Sequence, residues 1–141
     1  MRRDADPAAA AIERSAPHPG KQRTVNGHNR ILSDLRRKIP SFQCVPGCHD
    51  CCGPVTASSI ELARLPVKSK AVHEAALAEL GCPYLGEQGC EVYDERPLIC
   101  RLFGTTPRLS CPNGKRPTVM VDPKVERRVD WFAENTRQVL V

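Results

Sequence analysis

Apolar residues along this chain fall in short runs of helical spacing, cut apart by proline, glycine and cysteine. Ile31, Leu35 and Ile39 lie on one stripe of a short helix from Arg30 to Ile39, and Pro40 ends it. Ser58 followed by Glu61 has the form of a capping box, which predicts a helix through Leu65 stopped by Pro66. Ser69 to Leu80 predicts another helix, with Val72, Ala76, Leu77 and Leu80 facing inward and Gly81 in the place of a C-cap glycine. Pro97 to Phe103 reads as one or two helical turns opened by proline. Asp122 and Pro123 cap and start a last helix, 122–139, whose apolar positions are Val125, Val129, Phe132 and Val139. Phe42–Pro54 and Cys82–Cys90 read as loops. Residues 104–121 are irregular, with Thr118–Val121 patterned as a short strand. Residues 1–28 are rich in Pro, Ala, Gly and His without periodicity and predict a disordered N-terminal arm, leaving 29–141 as the folded domain. No internal repeat is visible.

The 141 residues are enough for one domain plus tails. Only six are aromatic, while thirteen prolines and nine glycines break the chain into short pieces. A modest apolar core follows, and small domains of that kind commonly need a metal or disulfide staple. Eight cysteines supply the means: Cys44, Cys48, Cys51 and Cys52 in a C-x3-C-x2-C-C group, then Cys82, Cys90, Cys100 and Cys111. The expected fold is a small, mostly α domain with irregular metal-binding loops, stapled by metal and with little or no β-sheet.

An even cysteine count permits disulfides, but disulfide frameworks belong to secreted chains. The apolar run Ala8–Ile12 is too short and too close to charge for a secretory signal. No stretch approaches the ~18 apolar residues of a membrane span. The chain is therefore expected in a reducing cytoplasm, where clustered thiols favour metal. The adjacent pair Cys51–Cys52 agrees, because the ring closed by a disulfide between neighbours is strained.

In Cys48-His49-Asp50-Cys51, two residues separate the thiols, so both sulfurs can turn toward one centre. Cys44 adds a third donor from the same loop, its turn shaped by Pro46 and Gly47. A zinc ion or an iron–sulfur cluster takes four. The fourth is Cys52 or a cysteine of the second group. Four thiolates on such a centre leave about two net negative charges, and Arg96 and Arg101, flanking Cys100, are the cations placed to offset them.

His49 is expected beside the ligands or in solvent rather than on the metal, since eight thiols already exceed one tetrahedral set. Asp50 reads as a turn residue. Tyr84 and Tyr93 are expected to pack against the cluster, and the isolated His18, His28 and His73 to be inert. Cys-Pro-Asn-Gly at 111–114 is a turn signal carrying the last thiol. No Ser/His/Asp arrangement, phosphate loop or spaced carboxylate pair stands out.

Charge is unevenly placed. Residues 1–40 hold nine Lys/Arg against four Asp/Glu, 41–100 hold four against eight, and 101–141 hold eight against four. The basic flanks suit an acidic partner or nucleic acid. No aromatic side chains interleave with them to stack on bases, which makes nucleic acid the weaker choice and an ordinary solvated surface the simpler reading.

The segments Cys44-Val-Pro-Gly-Cys48-His-Asp-Cys51-Cys52 and Cys82-Pro-Tyr-Leu…Gly89-Cys90-Glu-Val-Tyr93-Asp-Glu-Arg96-Pro97-Leu-Ile-Cys100-Arg101 resemble the bacterial cysteine-cluster family of zinc- or iron-chelating proteins, the YkgJ-like group. All eight cysteines fall on that family's pattern, which spans 44–111 and leaves the arm and the final helix outside. The resemblance implies a small metal-chelating domain of helices and irregular loops. Family members are often labelled iron–sulfur oxidoreductases, and a similar cluster occurs in a much longer flagellin lysine methylase; neither label assigns an activity to this chain, and whether it is an enzyme stays open. Cys44-x3-Cys48-x2-Cys51 also has the spacing of radical S-adenosylmethionine enzymes, but the strand–helix units of their partial barrel are missing. Two functions follow. In one, the cysteines hold an iron–sulfur cluster and the protein is a redox or electron-transfer accessory. In the other, zinc closes the fold and the arm and final helix bind a protein or nucleic-acid partner.

Overall fold

The computed structural model describes residues 19–141, with side chains from Asn26 onward. Helix α1 runs Pro19–Lys38, strand β1 Thr56–Ser58, α2 Ser59–Leu62, α3 Lys70–Ala78, β2 Leu85–Gly86, β3 Gly89–Cys90, α4 Leu98–Leu102, α5 Pro123–Glu134 and β4 Gln138–Leu140. Single 3₁₀ turns occupy Tyr93–Glu95 and Pro107–Leu109. The mostly helical expectation holds among the described residues, with two small antiparallel sheets added: β1 with β4, and β2 with β3.

The core gathers α1, α4 and α5. Leu32, Leu35 and Ile39 pack against Leu98, Leu102, Val121, Val125, Val129 and Phe132, all buried. Ile31 lies at the edge of this cluster. A second, smaller cluster joins Ala57, Leu65, Tyr84 and Val141.

Helix α1 starts at Pro19, so residues 19–28, expected in the disordered arm, continue the helix, while residues 1–18 of that arm lie outside the described residues. Glycine and asparagine at Asn26-Gly27 weaken helix propensity and hide this extension from periodicity. The capping box is present: Ser58 Oγ accepts from Glu61 N at 3.1 Å, and Glu61 Oε2 accepts from Ser58 N at 2.8 Å.

Helix α3 keeps its Ser69 cap, whose Oγ accepts from Val72 N at 3.2 Å. Its expected inner face is not buried, however. Val72, Leu77 and Leu80 are exposed, Leu80 by 73%. At its C-terminus Leu80, not Gly81, takes the left-handed conformation, with φ 55°. Gly81 N donates to Ala76 O at 2.7 Å, one residue further along, in the six-to-one bond of a Schellman end.

The last helix ends at Glu134 rather than 139. Thr136 interrupts the apolar stripe, and Asn135 N turns back to Phe132 O and Trp131 O. Val139 pairs with Ala57 in β4 instead, consistent with the β-branched valines at 139 and 141. Thr118–Val121 forms no strand; Val121 N makes one isolated bond to Thr105 O at 2.8 Å. Cys82–Cys90, expected as a loop, contains the β2–β3 hairpin, with Leu85 opposite Cys90.

Candidate metal centre

Four segments bring thiols to one place. The first is the loop after α1. Pro46 and Gly47, the latter at φ 74°, form a turn closed by Cys48 N to Val45 O at 2.9 Å. A second turn follows, closed by Cys52 N to His49 O at 2.9 Å. Two consecutive turns carry Cys48, Cys51 and Cys52 around one side of a hollow, with Cys44 at the exposed rim.

The second segment is the β2–β3 hairpin. Tyr84 N donates to Cys82 Sγ at 3.4 Å. Gly89, at φ 108°, sits against Gly47, where an added Cβ would lie 3.9 Å from the Gly47 Cα. That approach sets the hairpin carrying Cys82 and Cys90 against the first loop. The third segment is α4, which carries Cys100. Its first free amide, Leu98 N, donates to Glu61 Oε1 at 2.6 Å. The fourth is the turn Cys111–Gly114, closed by Gly114 N to Cys111 O at 3.0 Å. Asn113 N donates to Cys111 Sγ at 3.4 Å. Asn113 Nδ2 reaches across to Cys48 Sγ at 3.2 Å and Asp50 Oδ2 at 3.0 Å.

All eight cysteines line one cavity of about 750 Å³, together with Tyr84, Tyr93, Arg96 and Arg101. All eight are unpaired, with no disulfide among the described residues. Their sulfurs stand around the cavity wall rather than at a point. Among the described residues, no group of three or more His, Cys, Asp and Glu is gathered closely enough to hold a metal ion as it stands.

Acidity differs around the wall. Cys52 hydrogen-bonds the Cys51 sulfur and lowers the Cys51 thiol to about 6, while Cys52 itself is pushed up by that same bond and by burial. Burial raises Cys90, and raises Cys100 to about 12 with Cys82 and Cys90 adding to it. Backbone N–H groups two residues downstream offset such costs at Cys82, Cys90 and Cys111 by donating to the sulfur. In the first loop a backbone N–H acts on Cys51, and the side chain of Asn113 serves Cys48.

His49 is exposed and off the cavity wall. Asp50 accepts from Asn113. Tyr84 is buried and donates to Pro66 O at 2.8 Å; Tyr93 donates to Phe42 O at 3.4 Å, with Cys44 Sγ 3.9 Å from its hydroxyl. His73 packs edge-on to Tyr84 and His28 edge-on to Phe132, while His18 lies outside the described residues. Two contributors lie outside any local signal: by sequence Asn113 is a turn residue and Glu61 the cap of its own helix, yet one bonds Cys48 and Asp50 and the other caps the helix carrying Cys100. Nothing in the local pattern signals a partner tens of residues away.

The donors fit a thiolate-bound metal on two counts. Soft sulfur is the shared preference of zinc and iron–sulfur centres, and the wall carries an orphaned cationic donor, the buried Arg96 Nε, which has no hydrogen-bond partner. A small helical domain organised around a cysteine-lined cavity is the class these features define. Residues 43–134 match the model of the CxxCxxCC family, described as a putative zinc- or iron-chelating domain, and the chain belongs to that family. The match includes α5, which the cysteine pattern alone left outside. No curated protein and no solved structure matches the chain.

Proposed function

We propose that the eight cysteines hold iron as an iron–sulfur cluster and that the protein serves as a redox or electron-transfer accessory in a reducing cytoplasm. The observation that carries this reading is the meeting of all eight thiols on the wall of one cavity of about 750 Å³. Eight donors exceed one tetrahedral ion, and the space suits a multinuclear centre. Such a cluster, when bound, supplies one-electron redox chemistry. The chain's own part is to present Cys44, Cys48, Cys51, Cys52, Cys82, Cys90, Cys100 and Cys111 as donors. The loops must draw inward to do so, which couples binding to the order of the domain. Tyr84 and Tyr93 shield the wall, and Arg96 and Arg101 place positive charge beside it.

A second reading, structural zinc, is favoured by the shortness of the elements that carry the thiols. Cys90 sits in a two-residue strand and Cys100 in a five-residue helix, lengths that a bound ion would help hold. In that reading the exposed Lys124 and Arg127 of α5, with the basic arm, are offered to a protein or, less well, a nucleic-acid partner. Several other flank cations are already paired: Arg36 with Glu95, and Arg128 with Asp34.

Anaerobic purification tests both. Brown protein with broad visible absorption, iron and acid-labile sulfide supports the cluster. Colourless protein with stoichiometric zinc removes the electron-transfer role and leaves the structural one. Protein that takes up neither metal overturns both.

A further inference from the structure

Two guanidinium groups lie on the cavity wall, and they are used differently. Arg101 is engaged with the backbone: Nε donates to Arg96 O at 3.0 Å and Nη2 to Asp94 O at 2.5 Å. The nearby acid Glu95 is also taken, by Arg36 at 2.9 and 3.2 Å. Arg96 has none of these partners. Its guanidinium lies flat on the Tyr93 ring, with Cζ 3.6 Å from the centroid. Its Nε is buried without a hydrogen-bond acceptor. A stacked guanidinium is fixed in place, yet its donor edge stays unspent, and an unpaired buried donor is costly.

We propose that Arg96, not Arg101, is the counter-cation of the cysteine cavity, a positioning residue whose unpaired edge receives the negative charge that the thiolates acquire when they bind metal. The inference rests on the metal-binding reading above. Arg96 lines the same cavity as Cys51, Cys90 and Cys100, so its unpaired buried Nε and these thiols share one wall. Tyr93 sets the guanidinium's plane and itself touches the rim at Cys44, so one ring links the cation to the outermost thiol.

The test uses full-length protein stripped of metal under reducing conditions and titrated with Zn²⁺ against a chromophoric chelator. Arg96→Gln is expected to weaken Zn²⁺ binding about 10- to 100-fold. Arg96→Lys keeps the charge but loses the stacked planar fork, and is expected to recover part of the affinity that Arg96→Gln loses. Tyr93→Leu keeps the cation and removes only the ring beneath it, so it too should lose far less than Arg96→Gln. Equal affinity of Arg96→Gln and wild type overturns the proposal. Equal loss in Arg96→Lys and Arg96→Gln also overturns it, because packing rather than charge then decides. Should Arg96→Gln fail to fold, Arg96→Met read against Arg96→Lys takes its place: a greater loss in Arg96→Met supports the proposal, and equal affinity of the two overturns it. Wild-type protein that binds neither zinc nor iron is a separate result: it removes the metal-binding reading, and this inference with it.

Discussion

Glu61 Oε1 accepts the backbone N–H of Leu98 at 2.6 Å across 37 positions of sequence. The same carboxylate accepts from Ser58 N at 2.8 Å and Ser58 Oγ at 2.7 Å. One buried side chain therefore caps its own helix and the helix that carries Cys100. We predict that Glu61→Ala destabilises the protein by about 3 kcal/mol, since it strands Ser58 N and Leu98 N in a buried site. Glu61→Gln should recover part of the loss. Urea unfolding measures it, and a midpoint unchanged in Glu61→Ala would show that α4 finds its cap elsewhere.

Position on the cavity wall separates ligands from bystanders. Cys48→Ser, Cys51→Ser and Cys100→Ser should each lower the metal-to-protein ratio and the melting temperature together, because binding and folding are coupled. His49→Ala should leave both unchanged, since His49 is exposed and off the wall. Elemental analysis beside thermal melting decides. Full metal content in the three serine variants removes those cysteines from the ligand set, and metal loss in His49→Ala places that ring on the metal.

Acid should weaken the outer face of α5. The Arg108 guanidinium bonded to Glu126 holds that carboxyl below its ordinary value, helped by the Thr106 hydroxyl at 3.0 Å. A folded-state pKa below the unfolded one gives a contribution fully present above the unfolded value, about 4.5, and lost as pH falls through the folded value. Wild type should therefore be more stable than Glu126→Gln at neutral pH, and the gap should close on acidification. A gap of equal size at pH 7 and pH 3 in urea titrations would contradict this. The pair is partly solvated, so added salt should shrink the gap as well.

Two glycines should respond in opposite directions. Gly104 has φ 83°, and an added Cβ would lie 2.3 Å from the Phe42 Cζ. Gly104→Ala is expected to cost at least about 1–2 kcal/mol from backbone strain alone, and to loosen the packing of Phe42, itself on the cavity wall. Gly27 lies within α1 with nothing within 4 Å of an added Cβ. Gly27→Ala should stabilise by about 0.5–1 kcal/mol. Chemical denaturation of the two variants checks both signs.

Local chemistry wrote much of this protein into its sequence. The Ser58–Glu61 box, the Ser69 and Asp122 caps and the stop at Pro40 are short-range features, so residue type a few positions apart was enough to place them, whereas the helix expected through Leu65 ends at Leu62, ahead of Pro66. Eight cysteines in family spacing announced thiolate chemistry for the same reason. Only the tertiary structure decided that α3 keeps its apolar side chains in solvent, that Val139 leaves the helical stripe to pair with Ala57, and that Glu61 serves two helices. It also decided which cation faces the thiols unpaired: Arg96 and Arg101 both flank Cys100 in sequence, and they differ because the backbone oxygens of Asp94 and Arg96 fold back onto one guanidinium and leave the other stacked on Tyr93. Contacts between distant segments depend on how the chain returns on itself, and no window of neighbouring residues contains that information.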